Sequence, residues 1–237
     1  MKEILKYAYD SLKDIDPNDI GSTLKELTNM FSSAVTFSSS FSYEDQVITD
    51  FIANNAPEIS IFTLDTGRLF PETYSTWNST NDHYNIKVKA YYPNHGMLQN
   101  FIQEKGPNSF YESLENRKSC CFIRKVEPLK RALAGNSVWV TGLRAEHSPE
   151  RQNVSVLEWD DANQILKYNP LLYWTTQDVV AYIRDNNIPY NILHDRGFIS
   201  IGCQPCTRAV RPGEDFRAGR WWWEDAGKKE CGLHIKQ

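Results

Sequence analysis

Four of the five cysteines in this 237-residue chain fall in two tight pairs, Cys120-Cys121 and, after 81 intervening residues, Cys203-Gln204-Pro205-Cys206. Thiolates are soft ligands, and a C-x-x-C beside two further cysteines is a metal-binding signature. A tetrahedral zinc site and an iron–sulfur cluster both take four thiolates. Adjacent residues do not easily close on one small ion, but they can reach two different irons of a cubane, so the Cys120-Cys121 pair favours the cluster over zinc. A vicinal disulfide at that pair would leave the second pair unexplained.

The fifth thiol, Cys231, lies in Lys228-Lys229-Glu230-Cys231-Gly232-Leu233-His234. The lysines before it and His234 after it lower the pKa of a thiol toward the nucleophilic thiolate. An isolated cysteine is ordinarily an incidental surface group. Here Arg208, Arg211, Arg217 and Arg220 stand in the same C-terminal stretch, and Gly142-Leu143-Arg144 and Arg151 precede it. Any single arginine of this set reads equally well as a surface ion-pair partner. Together with Cys231 they suggest thiolate attack on an electrophilic, anionic substrate.

The charge pattern supports a local anion site over a polyanion track. Lys plus Arg is 26 against 30 Asp plus Glu, a formal net charge of −4, which excludes a nucleic-acid-binding footprint. Eleven of the twelve arginines lie beyond residue 116. No run approaches the roughly 18 apolar residues of a spanning helix, and Met1–Asp10 lacks the apolar core of a signal peptide. A cytoplasmic protein is expected, and in that reducing setting paired cysteines serve metals or catalysis.

The elements that must position these groups alternate. Strands are expected at 34–37, 59–64, 86–92 and 137–141, with helices at 23–31, 44–54, 70–83 (opened by Pro71), 96–105 and 121–133. That order implies right-handed βαβ crossovers and a mainly parallel sheet covered on both faces, an α/β fold. Shorter strands at 153–158 and 164–168 flank the turn Asp160–Asn163, and Thr175 caps a helix over 176–186 with Asp178 as its capping-box partner. Beyond Gly202 the chain reads as an irregular tail, where Trp221-Trp222-Trp223 suits core, lid or docking surface equally.

Ligands of an open parallel sheet bind outside the carboxyl ends of the strands. The first such end, Ser38-Ser39-Ser40-Phe41-Ser42-Tyr43-Glu44-Asp45, offers hydroxyls and backbone N–H groups at a helix start, suited to an oxyanion or to plain N-capping. It lacks the glycines and lysine of a P-loop. The second end, Leu64-Asp65-Thr66-Gly67-Arg68, adds a carboxylate, a hydroxyl and a flexible glycine at the same sheet edge.

These markers, with Arg124-Lys125-Val126-Glu127-Pro128-Leu129, Thr141-Gly142-Leu143-Arg144, Gly219-Arg220-Trp221-Trp222-Trp223 and the closing Glu230-Cys231-Gly232-Leu233-His234, closely resemble the cluster-containing bacterial branch of the assimilatory sulfonucleotide (APS/PAPS) reductases, over about residues 36–234. Ala145 and His147 depart from the arginine and glutamine that many members carry there. The resemblance implies an adenine-nucleotide α-hydrolase-like (Rossmann-like) fold, with residues 1–206 as a nucleotide-binding reductase unit and 207–237 as a catalytic tail packed on it.

It further implies Cys120, Cys121, Cys203 and Cys206 on a [4Fe–4S] cluster, Cys231 as nucleophile with His234 and Lys125 assisting, and adenosine 5′-phosphosulfate as substrate. The substrate would be held by Ser38, Ser39, Ser40, Phe41, Ser42, Glu44, Asp45, Asp65, Thr66, Gly67, Arg144, Arg151, Arg217 and Arg220. No fused reductase domain is expected after Cys231, and an external thioredoxin or glutaredoxin-like dithiol is the expected reductant; a homo-oligomer is compatible. The rival readings are a PAPS or dual-specificity reductase and, in another class, a nucleotide-binding iron–sulfur redox sensor.

Overall fold

The computed structural model describes residues 19–147 and 154–224, with positions 3, 6, 10, 12 and 16 near the start. A six-stranded sheet runs through it: β1 (Val35–Ser38), β2 (Ser60–Leu64), β3 (Lys89–Tyr91), β4 (Val138–Val140), β5 (Leu157–Asp160) and β6 (Ile165–Tyr168), in spatial order β3-β2-β1-β4-β6-β5. All neighbours pair in parallel except the β5–β6 hairpin. The order reverses between β1 and β4, and the crevice beyond those two strand ends is where a ligand site is expected.

The helices follow from local signals. α1 (Ile20–Phe31) is capped by the Asp19 carboxylate, which accepts from Ser22 N, and buries Ile20, Leu24 and Leu27 at helical spacing. α2 (Tyr43–Asn55) is buried on nearly every side from Glu44 to Ile52, which makes it the central packing element. α3 (Pro71–Tyr84) starts at its proline and ends on Asn85 at φ 50°, and α4 (His95–Lys105) is capped by Asn94.

α5 (Leu114–Cys121) passes through one π-helical turn, Phe122–Val126, into α6 (Glu127–Leu133). α7 (Thr176–Asp185) opens with the expected Thr175–Asp178 capping box. One core face joins α1, α2 and α7 to the sheet through Leu24, Phe37, Val47, Val140 and Leu166. The other packs Leu129, Ala132 and Leu133 against Phe62 and Trp139.

Two expectations are corrected. The strand expected at 86–92 is shorter because Ile86 N and Val88 N donate to the backbone and side-chain oxygens of Asn81, so the chain is tied to the end of α3 before β3 begins. The helix expected from Cys121 starts at Leu114, where Ser113 accepts from Asn116 N as its cap. Beyond Gly202 the described chain is irregular, folded back by a Thr207–Arg220 bridge and by Trp221 N donating to Cys206 O. No helix among the described residues is long and apolar enough to cross a membrane.

Candidate active site

The carboxyl ends of β1, β2 and β4 open into a cavity of about 230 Å³. Its sheet side is lined by Ser38, Ser39, Ser40, Ser42, Thr66 and Gly142, and its far side by residues 199–202 with Phe216, Arg217, Arg220 and Trp221.

The serine turn is organised around a carboxylate. Ser39 N donates to Phe62 O at 2.8 Å, extending the ladder, and Ser40 Oγ donates to Asp45 Oδ2 at 2.7 Å, joined by Ser40 N. Burial raises Asp45 to about 6, against the hydrogen bonds from Ser40 that lower it. A Cβ on residue 142 would collide with Asp45 Oδ1, which explains glycine there. Phe41, expected among the ligand-binding residues, turns the other way. At φ 59° its ring enters the core and stacks on Trp77 at 5.6 Å, so only its backbone belongs to the turn.

At the end of β2 the three expected residues divide. Asp65 Oδ1 accepts from Gly67 N and Tyr74 OH, both at 2.8 Å, and Gly67 takes the positive φ of 69° that closes this turn; neither residue lines the cavity. Thr66 does line it. Its Oγ1 also accepts from Cys203 Sγ at 3.3 Å and its carbonyl from Arg124 Nη1, so this residue touches both the cleft and the cysteine region.

All four paired cysteines border a second, smaller cavity together with Phe110, Pro205, Arg68, Arg117, Arg124 and Lys125. Cys120 and Cys121 end α5, where the π turn sets the direction of the two cations that follow. Cys203 precedes and Cys206 ends a 3₁₀ turn whose Gln204 N donates to Arg68 O. Burial and the neighbouring thiols Cys203 and Cys121 push Cys206 up to about 12, and burial raises Cys120 despite Arg124 beside it.

Four thiolates gathered there without a counter-charge would be costly. A cationic metal core bonded to all four sulfurs removes that cost, and the surrounding arginines and lysine offset the remaining negative charge. Four cysteines at one cavity are the donor chemistry of a four-thiolate iron–sulfur cluster, although among the described residues no three such side chains meet closely enough to hold a single metal ion.

The expected basic residues also separate. Arg217 and Arg220 line the cleft and lie 5.9 and 4.8 Å from the Trp221 ring centroid. Arg220 Nη1 donates to Ser200 Oγ at 3.1 Å. Lys125 lines both cavities. Arg144, expected at the anion site, is buried elsewhere: it bonds Glu44 Oε1 at 2.9 Å, Glu146, the Trp174 carbonyl and Thr176 Oγ1. Arg208 pairs with Glu214, and Arg211 is exposed away from the cleft. Arg151, Cys231 and His234 lie outside the described residues.

Sequence reasoning passed over Arg117, Arg124 and Trp221 as site-building groups. The adjacency of Arg124 to Lys125, three residues after Cys121, was the available signal.

Comparison with known proteins agrees with this arrangement. The model of the phosphoadenosine phosphosulfate reductase domain matches residues 34–209. An adenosine 5′-phosphosulfate reductase of Burkholderia cepacia is 51% identical over 201 residues, covering 85% of this chain and 80% of that protein. Its counterpart in Allochromatium vinosum is 48% identical over 204 residues, with 86% and 80% covered.

Among solved structures, phosphoadenylyl-sulfate reductase from Candida auris, a phosphate complex, superposes with a TM-score of 0.71 at 28% identity, covering 89% of this chain and 98% of that one. Candida glabrata FMN adenylyltransferase, at 15% identity and a TM-score of 0.54 over 93% of this chain and 80% of its own, shares the fold alone. The architecture is thus adenine-nucleotide α-hydrolase-like, and the chain belongs to the phosphoadenosine phosphosulfate reductase domain family.

Proposed function

We propose that this protein reduces adenosine 5′-phosphosulfate to sulfite and AMP in sulfate assimilation, using thiol electrons. The observation that carries the reading is the shared wall between the two cavities. Lys125 borders both, and Trp221, which lines the cleft with Arg217 and Arg220 against it, packs in one cluster with Cys203 and Cys206. An anion cleft backed by four thiols suits a sulfonucleotide and an iron–sulfur cluster. The curated relatives at 45–51% identity carry the name adenosine 5′-phosphosulfate reductase, which favours that nucleotide over its 3′-phosphorylated form.

In this reading Arg217, Arg220 and Lys125 hold phosphate and sulfate oxygens, while the backbone of the serine turn meets the nucleotide at the sheet edge. Arg144 contributes at one remove. By neutralising Glu44 beside the cleft it keeps an acidic first helical turn from repelling an anionic ligand. Cys120, Cys121, Cys203 and Cys206 would hold a [4Fe–4S] cluster, which when bound supplies a fixed local charge and a cross-link between α5 and the C-terminal segment.

The Cys231 thiolate, activated by Lys228, Lys229 and His234, attacks the sulfate sulfur. The new S–S bond forms as the bond from that sulfur to the phosphate oxygen breaks, and AMP leaves with the electron pair. A thiolate of a thioredoxin or glutaredoxin-like protein then attacks Cys231 Sγ and releases sulfite. Its second thiol resolves the mixed disulfide, so two thiols are oxidised to one disulfide for each sulfite formed. Residues 1–206 supply the sheet side of the nucleotide site, 207–237 supply Arg217, Arg220 and the nucleophile, and the thiol chemistry suits a reducing cytoplasm.

The test is turnover of anaerobically purified protein with thioredoxin and each nucleotide in turn. Sulfite release from adenosine 5′-phosphosulfate, abolished in Cys231→Ser, supports the reading. Preference for the 3′-phosphorylated nucleotide would reassign the substrate, and nucleotide binding without turnover would make this a sensor.

A further inference from the structure

We infer that the buried Arg117–Glu224 pair is a positioning element that fixes the chain leading to the nucleophile against the thiol quartet. This rests on the proposed role of Cys231.

The guanidinium of Arg117 forms a two-pronged contact, Nε to Glu224 Oε1 at 2.9 Å and Nη2 to Oε2 at 2.7 Å, with side chains only 1% and 8% exposed. Such a fork sets orientation as well as distance, which a lysine could not reproduce. The same guanidinium lies 4.7 Å from the Trp221 ring centroid and hydrogen-bonds Cys121. Glu224 N closes a turn onto Trp221 O at 2.8 Å, and Trp221 N donates to Cys206 O at 3.1 Å. One residue thus touches a cysteine of the first pair, the tryptophan that lines the cleft and the carboxylate of Glu224.

An exposed ion pair would contribute little. Burying one here, beside four thiols, places an anchored residue seven positions before Cys231 in the sequence. A fully extended chain of that length spans about 25 Å at most, so the anchor bounds the volume from which Cys231 can approach the cleft. Holding a nucleophile near its target raises its effective concentration, and small misplacements lower rates steeply. The pair therefore acts on the attack step and leaves nucleotide affinity alone.

The test uses cluster-loaded full-length protein and three variants: Glu224→Gln, Arg117→Met, and the double variant Arg117→Met/Glu224→Met. Three quantities are read: the single-turnover rate of sulfonate formation on Cys231 by mass spectrometry, AMP affinity by calorimetry, and thermal stability with iron content. Glu224→Gln should slow sulfonate formation about tenfold or more while AMP affinity stays within about twofold. The double variant, with neither buried charge left unpaired, should recover the stability that Arg117→Met loses without recovering the rate.

Recovery of the wild-type rate in the double variant, or AMP affinity falling in step with the rate, overturns the inference. Should Arg117→Met not fold, Glu224→Gln and the double variant decide alone. Sulfonate persisting in Cys231→Ser would instead overturn the assignment of the nucleophile.

Discussion

The two walls of the cleft are built by opposite means. On the sheet side, polar groups are satisfied by the fold itself: Ser39 N continues the β1–β2 ladder, Ser40 is held by Asp45, and Trp139 Nε1 donates to Ser38 Oγ at 2.9 Å. The opposite wall, from Ile199 to Trp221, contains no strand and no α-helix. It is fixed by cysteines, by cations against an aromatic ring and by one bridge, Thr207–Arg220. The sheet wall should therefore survive changes in the thiol site, whereas the irregular wall should not. Regular structure builds one rim of the cleft, and in the proposed reading the segment that carries Arg217, Arg220 and the nucleophile relies on the cluster for its order.

The largest expected effect comes from Cys203→Ala. Loss of a ligand should remove iron and visible absorption and lower turnover by about 10³-fold or more, since wall and cations lose their support together. Far-UV circular dichroism should change little. Collapse of the sheet signal in the same variant would erase the distinction between the walls.

A second contrast separates two buried arginines. Arg144→Ala strands Glu44 and should lower the unfolding free energy by about 3–5 kcal/mol. Arg220→Ala should instead lower kcat/KM by about 10–100-fold, because a charge-assisted contact to the substrate anion disappears, with a smaller loss in urea-melt stability. Equal stability losses would show that both arginines are structural.

The smallest effect concerns Asp45. Burial raises its carboxyl from the ordinary 3.8 to about 6, so the folded chain binds this proton more tightly than the unfolded chain. Stability therefore falls as pH rises through about 4 to 6, by roughly 3 kcal/mol at most, and is flat above. Asp45→Asn should lack that slope in denaturant melts taken across the range. An unchanged slope would show that another group carries it.

Much of the architecture was legible because each central strand is a short apolar run bounded by turn residues. Val138-Trp139-Val140 is buried on both faces and could hardly be anything else. The capping box at Thr175 and Asp178 was legible for the same local reason. What escaped depends on distant partners. Glu146, two residues on, is a local partner of Arg144; the buried carboxylate that claims it lies 100 residues earlier and its hydroxyl partner 32 later.

Phe41 was assigned to the ligand because its neighbours are serines; its left-handed backbone, which sends the ring inward, has no signature in a residue that is not glycine. The thiol quartet was visible as spacing, but the Arg117–Glu224 pair joins residues 107 positions apart and leaves no pattern.

In the proposed reaction a thiol of the C-terminal segment attacks a sulfonucleotide held in a cleft backed by the cysteine quartet. The most direct measurement is a single turnover of the cluster-containing protein with adenosine 5′-phosphosulfate and no reductant, followed by peptide mass mapping. The account predicts one SO₃ adduct on the peptide carrying Cys231, released as sulfite when thioredoxin is added. An adduct on one of the four paired cysteines, or sulfite released with Cys231 alkylated beforehand, would contradict it.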